Sequence, residues 1–195
     1  MFEEARRRGF LGPGPVEAHI VHARAFGLHC AVEGDERCLD LGSGGGVPGL
    51  VLAYERPGPT WVLLDASAAR ATFLSAAITE LGMAERVTAL AGRAEEVGRD
   101  PFHRGAYDLV VARAFARPAV VAECAAPLLK VGGVLLVSEP PDQRGRWPAD
   151  GLERLGLAPT RAVRSTPRIA CFSQEWQSPE QFPRRVGIPS KRPLW

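Results

Sequence analysis

The fold of this chain is decided by the stretch Asp40-Leu41-Gly42-Ser43-Gly44-Gly45-Gly46-Val47-Pro48-Gly49. It begins with the last residues of a predicted buried strand and leads into a predicted helix. Glycines allow positive φ angles and let a ligand approach the backbone where a Cβ would block it. Pro48 suits the first turn of a helix, because its missing N–H costs nothing there. The stretch therefore predicts a ligand-binding turn at the carboxyl end of a strand, where open α/β sheets bind ligands.

Three classes of ligand can be weighed for this turn. A P-loop is excluded because no Gly-Lys-Ser/Thr follows the glycines. A dinucleotide stays open, because Gly44 to Gly49 fits G-x-G-x-x-G and Asp65 follows 19 residues after Gly46, as an acidic ribose contact would. Asp40 favours S-adenosylmethionine, because a carboxylate suits the cationic amino acid end of that cofactor and is unfavourable beside a pyrophosphate. The length of 195 residues also leaves little room for a dehydrogenase substrate domain. A structural turn without a ligand is the remaining alternative.

Apolar runs of strand length alternate with helix-length segments around this turn. The predicted strands span about residues 37–41, 60–65, 86–91, 107–112 and 133–138. The predicted helices span about residues 48–54, 68–81 and 118–129. One face of the second helix is apolar from Ala71 to Leu81, and Gly82 can serve as its C-cap. Such alternation indicates a parallel sheet with helices on both faces.

The last third of the chain has a different pattern. A loop that includes residues 142–146 and a short helix over about 149–155 precede two apolar segments, about 158–163 and 168–176. Ser165-Thr166-Pro167 predicts a turn between them. A doubly wound, mostly parallel sheet that ends in an antiparallel hairpin is the Rossmann-like architecture of class I S-adenosylmethionine-dependent methyltransferases. This step is an analogy at the level of the fold.

The chain is expected to form one α/β domain over residues 1–195, with a short N-terminal helical segment over 1–30 and a basic C-terminal tail over 177–195. Residues 161–195 hold seven basic and two acidic residues, a net charge of +5, so residues 1–160 carry the remaining −3. Such a distribution fits an anionic partner. A solvated tail without a partner is the alternative.

Composition indicates a globular protein of the cytoplasm. Hydrophobic residues make up 46% and charged residues 24%. No apolar run is long enough to span a bilayer, and the N-terminus has no apolar signal-peptide core, so export is not expected. The cysteines are scattered without a Cys-x-x-Cys pair, which favours neither a zinc site nor a disulfide framework; we expect no metal and buried thiols.

Taken together, the motifs resemble those of one known family. The stretch from Asp40 to Gly49, with Pro-Gly after the glycines, is similar to the glycine motif of the ribosomal RNA small subunit methyltransferase G family, also called glucose-inhibited division protein B. The family's other motifs follow in order: Leu63-Leu64-Asp65-Ala66 with Arg70 and Phe73-Leu74, Arg93-Ala94-Glu95-Glu96, Val111-Ala112-Arg113-Ala114-Phe115-Ala116, and the basic residues 182–194. The resemblance covers about residues 22–195. It implies N7-methylation of a guanine in 16S ribosomal RNA, with S-adenosylmethionine as the cofactor.

The resemblance also implies roles for individual residues. Arg113 would lie beside the cofactor and the active site and is the candidate catalytic residue, with a surface salt bridge as the alternative. Asp65 would lie near the ribose, while Ala94 and Glu95 would frame the adenine. For Arg70 and Arg93 both a functional role and a salt bridge stay open. The candidate cofactor-binding residues are Asp40, Gly42, Ser43, Gly44, Gly46, Val47, Asp65, Ala66, Ala94, Glu95 and Arg113.

The chain departs from the family pattern at several positions. We expect it to lack the family's longer N-terminal helical region with an Asn-Leu-Thr motif. Of the family's His-x-x-Asp-Ser only His22 is retained, and a structural role is expected for it. Glu139-Pro140 replaces a Lys-Gly, and Ala69 replaces another lysine. Exchanging a cation for a carboxylate near bound RNA alters the contacts available to phosphates.

The chemistry implied by the family needs few reactive side chains. Guanine N7 carries a free lone pair, so its attack on a sulfonium methyl group requires positioning and electrostatics more than a general base. The leading hypothesis is therefore a guanine-N7 methyltransferase whose partner is ribosomal RNA or the small ribosomal subunit. A methyltransferase of the same fold acting on another acceptor, such as a small molecule, is one alternative. A cofactor-binding protein without catalysis is the other.

Overall fold

The computed structural model describes residues 1–29, 32, 34–140, 145–160 and 166–195. Some predicted features lie wholly or partly outside these residues. They are Cys30, residues 142–144 of the late loop, the basic residues Arg161 and Arg164, Ser165 of the predicted turn, and residues 161–163 of the first late strand.

One mixed sheet contains the seven strands of the described residues. The strands are β1 Arg37–Leu41, β2 Thr60–Asp65, β3 Val87–Ala91, β4 Tyr107–Ala112, β5 Leu129–Glu139, β6 Leu157–Pro159 and β7 Arg168–Gln174. Their order across the sheet is β3-β2-β1-β4-β5-β7-β6. The first five are parallel, and β7 is antiparallel to both of its neighbours. The strand order reverses between β1 and β4, so a ligand-binding crevice is expected at their carboxyl ends.

The helices flank the sheet as the alternating pattern predicts. They are α1 Phe2–Arg7, α2 Val16–Gly27, α3 Gly49–Glu55, α4 Ala68–Glu80, α5 Ala94–Val97, α6 Pro118–Ala125, α7 Ala149–Glu153 and α8 Ile188–Lys191. The predicted helix over 118–129 ends early, at Ala125, and continues as a 3₁₀ turn over Ala126–Leu128. The helices α5 and α8 were not predicted, because four residues are too few to show a helical period.

Local sequence explains how these elements form. Strand β1 is buried on both faces: Leu39 and Leu41 pack in the cluster that includes α6, whereas Cys38 packs in the cluster that includes α4. Such two-sided burial is why the parallel strands are nearly continuous apolar runs. The helix α4 begins at Ser67, whose Oγ accepts from the backbone of Arg70 at 3.4 Å. It ends at Glu80, and Gly82, just after the capping residue Leu81, has the left-handed φ of 66° that its predicted capping role requires.

The predicted antiparallel ending is confirmed, with one difference in its extent. Strand β7 pairs with β5 over six residue positions and therefore occupies the inner place in the sheet. Strand β6 is described only over Leu157–Pro159 and lies at the edge. The long β5, which starts at Leu129 rather than near 133, provides the edge on which β7 packs.

Within the described residues, no helix is long and apolar enough to cross a bilayer. Cys38, Cys124 and Cys171 are buried, as predicted.

The N-terminal helices pack against the glycine turn. A Cβ placed on Gly45 would lie 2.8 Å from Leu11 Cγ and 3.1 Å from Ala5 Cβ. The absence of a side chain at Gly45 therefore lets the N-terminal segment contact the turn directly, and Ala5 is fully buried there. This contact closes one side of the crevice.

The basic C-terminal tail is fastened to the domain and is not a solvated extension. Arg104 donates to the carbonyl oxygens of four residues, Gly98, Ser178, Pro179 and Phe182. Arg184 binds the fully buried Glu123 with Nε and Nη2, at 2.8 and 2.7 Å, and its backbone N–H donates to the same carboxylate. One of the predicted tail cations therefore neutralises a buried acid and is unavailable to a partner.

Replacing Arg184→Ala should destabilise the protein by roughly 3 kcal/mol, because the Glu123 carboxylate would stay buried without its cation. Urea denaturation measures this. The control is Arg185→Ala, an adjacent exposed arginine, for which a change below about 0.5 kcal/mol is expected. Equal effects of the two substitutions would show that the ion pair does not hold the tail.

Candidate functional site

The glycine turn connects β1 to α3 at the carboxyl edge of the sheet, where it is hydrogen-bonded to the end of β2. The backbone N–H groups of Gly42 and Ser43 both donate to the carbonyl of Leu64, at 2.8 and 2.9 Å. Gly42, Gly44 and Gly46 have φ angles of 77°, 55° and 93°, which disfavour any residue with a Cβ. The turn therefore requires the glycines at these three positions for its path.

Two cavities open on either side of Gly42, which lines both. The first cavity, of about 240 Å³, lies toward β2 and β3, and its walls include Asp65, Ala66, Ala94 and Glu95. The second cavity, of about 310 Å³, lies toward the N-terminal segment, and its walls include Ser43, Gly44, Val47 and Arg113. Nine of the eleven predicted cofactor-binding residues thus surround one crevice.

The other two, Asp40 and Gly46, line neither cavity. Asp40 is 1% exposed, and its Oδ2 accepts from the backbone of Gly49 at 2.8 Å, at the start of α3. Its Oδ1 is buried without a hydrogen-bond partner among the described residues. Burial raises the pKa of Asp40 to about 7, against the opposing hydrogen bond from Gly49. Asp40 therefore supports the turn from beneath, through the start of α3, and its predicted part in cofactor binding stays a prediction.

Gly46 has a packing role. A Cβ on this residue would lie 3.0 Å from Leu50 and 3.2 Å from Leu74 Cδ2, so the glycine lets α3 and α4 approach the turn. Its predicted part in cofactor binding stays a prediction beside this structural role.

Asp65 links the turn to the end of β2. Its Oδ2 accepts from the backbone of Gly44 at 2.9 Å, and its Oδ1 accepts from Ser67 at 2.9 Å. Arg70 Nη1 lies 3.6 Å from Oδ2 and lines the second cavity. A single carboxylate therefore holds the glycine loop and still forms part of the wall of the first cavity.

Glu95 connects the first cavity to the C-terminal tail. The carboxylate is 4% exposed, and its Oε1 accepts from the backbone of Gly187 at 2.9 Å and from Arg93 Nη2 at 3.4 Å. Ser190, in the tail helix α8, also lines this cavity. The parts played by Gly187 and Ser190 were not predicted, because no local pattern indicates where a tail docks.

Arg113 is bound to a histidine that the sequence did not single out. Its Nη2 donates to His19 Nδ1 at 2.6 Å, and His19 Nε2 lies 3.1 Å from the carbonyl oxygen of Gly12. Arginine only donates, so Nδ1 must accept and the ring proton is on Nε2, which donates to Gly12. The guanidinium is thereby held at the second cavity by α2, and the alternative of a surface salt bridge is not what the structure shows.

His22 has a different environment from His19. Its Nε2 lies 2.7 Å from Ser138 Oγ, and burial, helped by the nearby cation of Arg113, lowers its pKa to about 4. A half-buried neutral imidazole paired with a hydroxyl fits the structural role expected for it. The two histidines are one helical turn apart on α2, and the sequence alone does not show which of them reaches the crevice.

Phe115 covers the glycine turn. A Cβ on Gly42 would lie 2.6 Å from Phe115 Cδ2, so only glycine leaves room for this ring. Phe115 also lines the first cavity. Among the described residues, no group of three or more His, Cys, Asp or Glu side chains could hold a metal ion.

Comparison with known proteins agrees with this architecture. The family model of the rRNA small subunit methyltransferase G matches residues 16–155. A ribosomal RNA small subunit methyltransferase G of Synechococcus sp. (strain WH7803) is 40% identical over 175 residues, which cover 81% of this chain and 66% of that protein. One from Symbiobacterium thermophilum is 38% identical over 196 residues, covering 92% of this chain and 80% of that protein. The chain thus spans about two thirds of the length of the cyanobacterial relative.

A solved structure shows the same fold. The structure of geranyl diphosphate C-methyltransferase from Streptomyces coelicolor A3(2), in complex with Mg²⁺, geranyl diphosphate and S-adenosyl-L-homocysteine, has a TM-score of 0.52 and 24% identity. The match covers 60% of this chain and 44% of that protein. The sheet described above is that of class I methyltransferases.

The raised pKa of Asp40 predicts a pH-dependent stability. Between its unfolded value of 3.8 and its folded value of about 7, the folded protein binds the proton more tightly than the unfolded chain. The contribution of Asp40 to the free energy of unfolding is therefore fully present below pH 3.8 and is lost as the pH rises through 7. In Asp40→Asn, which cannot ionise, the free energy of unfolding relative to wild type should rise by roughly 4 kcal/mol between pH 4 and 8. Urea denaturation at several pH values checks this, and a constant difference would contradict it.

Proposed function

This chain belongs to the rRNA small subunit methyltransferase G family, and from that we propose that it transfers a methyl group from S-adenosylmethionine to N7 of a guanine in 16S ribosomal RNA. The observation that carries this proposal is the pair of cavities that meet at Gly42, where residues of five matched motifs converge. The partner is ribosomal RNA, alone or in the small ribosomal subunit, and the site of action is the cytoplasm.

The charges around the two cavities fit the cofactor. The first cavity carries the carboxylates of Asp65 and Glu95, which can accept from ribose hydroxyls and from the adenine amino group. The second cavity carries the guanidinium groups of Arg70 and Arg113, which complement the carboxylate of the amino acid end. Gly42, between the two, leaves the backbone open to the centre of the molecule.

The bound cofactor supplies a methyl group on a sulfonium sulfur, which guanine N7 can attack without loss of a proton. The residues of the chain hold and orient the two partners and keep water out. Arg113 is the proposed catalytic residue, because it lines the second cavity, where it would contact the bound cofactor. His19 holds the guanidinium in one orientation, and Phe115 covers the turn from above. Such preorganisation is sufficient for an in-line displacement.

The whole of residues 1–195 is proposed to act as one methyltransferase domain. The N-terminal segment and the tail both contribute walls to the crevice, through Phe10 and Ser190. The tail also presents the exposed cations Arg185, Lys191 and Arg192 beside α8. These cations can bind RNA phosphates, whereas Arg184 is occupied by Glu123.

Gly42→Ala should weaken binding of S-adenosylhomocysteine at least tenfold, because the added Cβ meets Phe115 and narrows the junction of the cavities. The matched control is Gly82→Ala, whose φ of 66° imposes similar backbone strain but whose Cβ meets nothing within 4 Å. Calorimetry on both variants, with NAD as a second ligand, measures the effect. Tight binding of NAD alone, or equal losses in both variants, would contradict a cofactor site at Gly42.

Methyl transfer should be detected with radiolabelled cofactor on 30S subunits or 16S RNA and be absent with a metabolite extract. Arg113→Ala should lower kcat/KM roughly tenfold or more, about 1.4 kcal/mol, with a smaller change in stability. Arg154→Ala, a substitution of the exposed arginine that caps the C-terminus of α7, serves as the control. Label only in the metabolite extract would replace RNA by a small-molecule acceptor. Undiminished turnover per folded Arg113→Ala molecule would make Arg113 structural.

A further inference from the structure

A third cavity, of about 170 Å³, lies beside the two that surround Gly42. It is formed at the carboxyl ends of β4 and β5, where its walls include Ala112 and Ser138. It shares Ala114 with the second cavity, and Phe115 and Ala116 with the first. The loop after β4 is therefore the point at which all three cavities adjoin, and a molecule in the third cavity would lie next to the centre of the cofactor.

Aromatic rings form two walls of the third cavity. Phe115 lines it from the side of the glycine turn, and Trp147 lines it from the segment that follows β5. Trp147 is held by Phe172, with ring centroids 4.6 Å apart. Its Nε1 is buried without a hydrogen-bond partner among the described residues. A space between two aromatic rings suits a flat unsaturated ring.

One carboxylate and one guanidinium supply the polar part of the wall. Glu139, the last residue of β5, is 8% exposed, and its Oε1 accepts from Arg146 Nη1 at 2.9 Å. The contact engages one carboxylate oxygen and one guanidinium nitrogen. The backbone carbonyl of Arg146 accepts from Trp195 Nε1 at 3.0 Å, so the C-terminal residue supports this wall. A nearly buried carboxylate with remaining acceptor capacity is a suitable partner for a ligand that donates hydrogen bonds.

We propose that the third cavity receives the acceptor guanine, unstacked from the RNA, and that Glu139 selects it by accepting hydrogen bonds from its N1–H and 2-amino groups. This inference rests on the proposed function. Enzymes that act on a base unstack it and read its Watson–Crick edge between aromatic or apolar side chains. Guanine presents two donors on that edge, whereas a carboxylate only accepts.

The order of the strands agrees with the orientation that the reaction needs. Strand β4 lies next to β1 and the glycine turn, and β5 lies one strand further away, a spacing of about 4.8 Å. Glu139 is at the end of β5, so its carboxylate belongs to the more distant strand. The imidazole ring, which carries N7, lies on the side of the purine away from N1–H and the 2-amino group. A base bound to Glu139 by those two donors therefore has its imidazole ring on the side of β4 and can present N7 to the cofactor.

The residue type at position 139 decides which edge can be read. A lysine at this place could only donate and would pair with O6 or a phosphate. The carboxylate of Glu139 reverses this preference. Glu139 is thus a specificity-determining residue of this chain, supported by Arg146.

The test compares guanine with hypoxanthine, which keeps N7, O6 and N1–H but lacks the 2-amino group. The methylated guanosine is first mapped by mass spectrometry on 16S RNA treated with wild-type protein. Full-length 16S RNA is then assembled by ligation with guanosine or inosine at that position and reconstituted into 30S subunits. Wild type should prefer guanosine by roughly tenfold or more in kcat/KM, because a site built to accept from an amino group is left unpaired by the analogue.

Glu139→Ala should bring the ratio of kcat/KM for guanosine RNA to kcat/KM for inosine RNA close to one. Glu139→Gln, which keeps an acceptor for Arg146, should reduce this ratio. The ratio does not depend on how much protein is folded, so a loss of stability cannot imitate the result. Glu153→Gln, an exposed acid on α7, is the control and should keep the wild-type ratio. Equal loss of activity on both RNAs, with an unchanged ratio, would make Glu139 structural and overturn the inference. Absence of any methylated guanosine with wild type would instead overturn the proposed function itself.

Discussion

The backbone amides of Gly42 and Ser43 both donate to the carbonyl of Leu64, and the rest of the crevice depends on this contact. It draws the chain after β1 across the end of β2, and the positive φ angles that follow are accessible to glycine alone at acceptable cost. Asp65 strengthens the same junction through Gly44 and Ser67. Because the loop is held at both strands, its open side has a defined shape before any ligand binds. The entropy cost of ordering the loop on binding is therefore small.

The turn also separates two electrostatic environments. Carboxylates of Asp65 and Glu95 line the first cavity, while guanidinium groups of Arg70 and Arg113 line the second. A ligand with hydroxyl and amino donors at one end and a carboxylate at the other fits these two cavities in only one orientation. Its donors face the carboxylates of the first cavity, and its carboxylate faces the guanidinium groups of the second. The buried carboxyl of Asp40 lies beneath the turn, where its contact with Gly49 begins α3 and leaves the cavity walls to the other groups.

Both ends of the chain take part in the crevice. The N-terminal segment reaches the second cavity through Phe10 and holds Arg113 through His19, whose other nitrogen contacts Gly12. The tail reaches the first cavity through Ser190 and binds Glu95 through Gly187. Arg184 secures the tail on Glu123, so the exposed cations next to it keep a fixed position relative to the cofactor site. The proposed RNA contact and the proposed cofactor contact thereby share the same short segment.

The sequence by itself determined the sheet and the position of the crevice. The bounds of β1, β2 and β4 agree with the predicted ones, because each is a short apolar run between polar or glycine-rich turns. The family was also evident, since three of its five motifs lie within or just after those strands. Only the tertiary structure decided which polar groups face the ligand. Arg113 and His19 are 94 residues apart, and Glu95 and Gly187 are 92 apart. Periodicity shows which face of an element is apolar, but it cannot show which distant segment packs there; that depends on the path of the whole chain and on packing of its core.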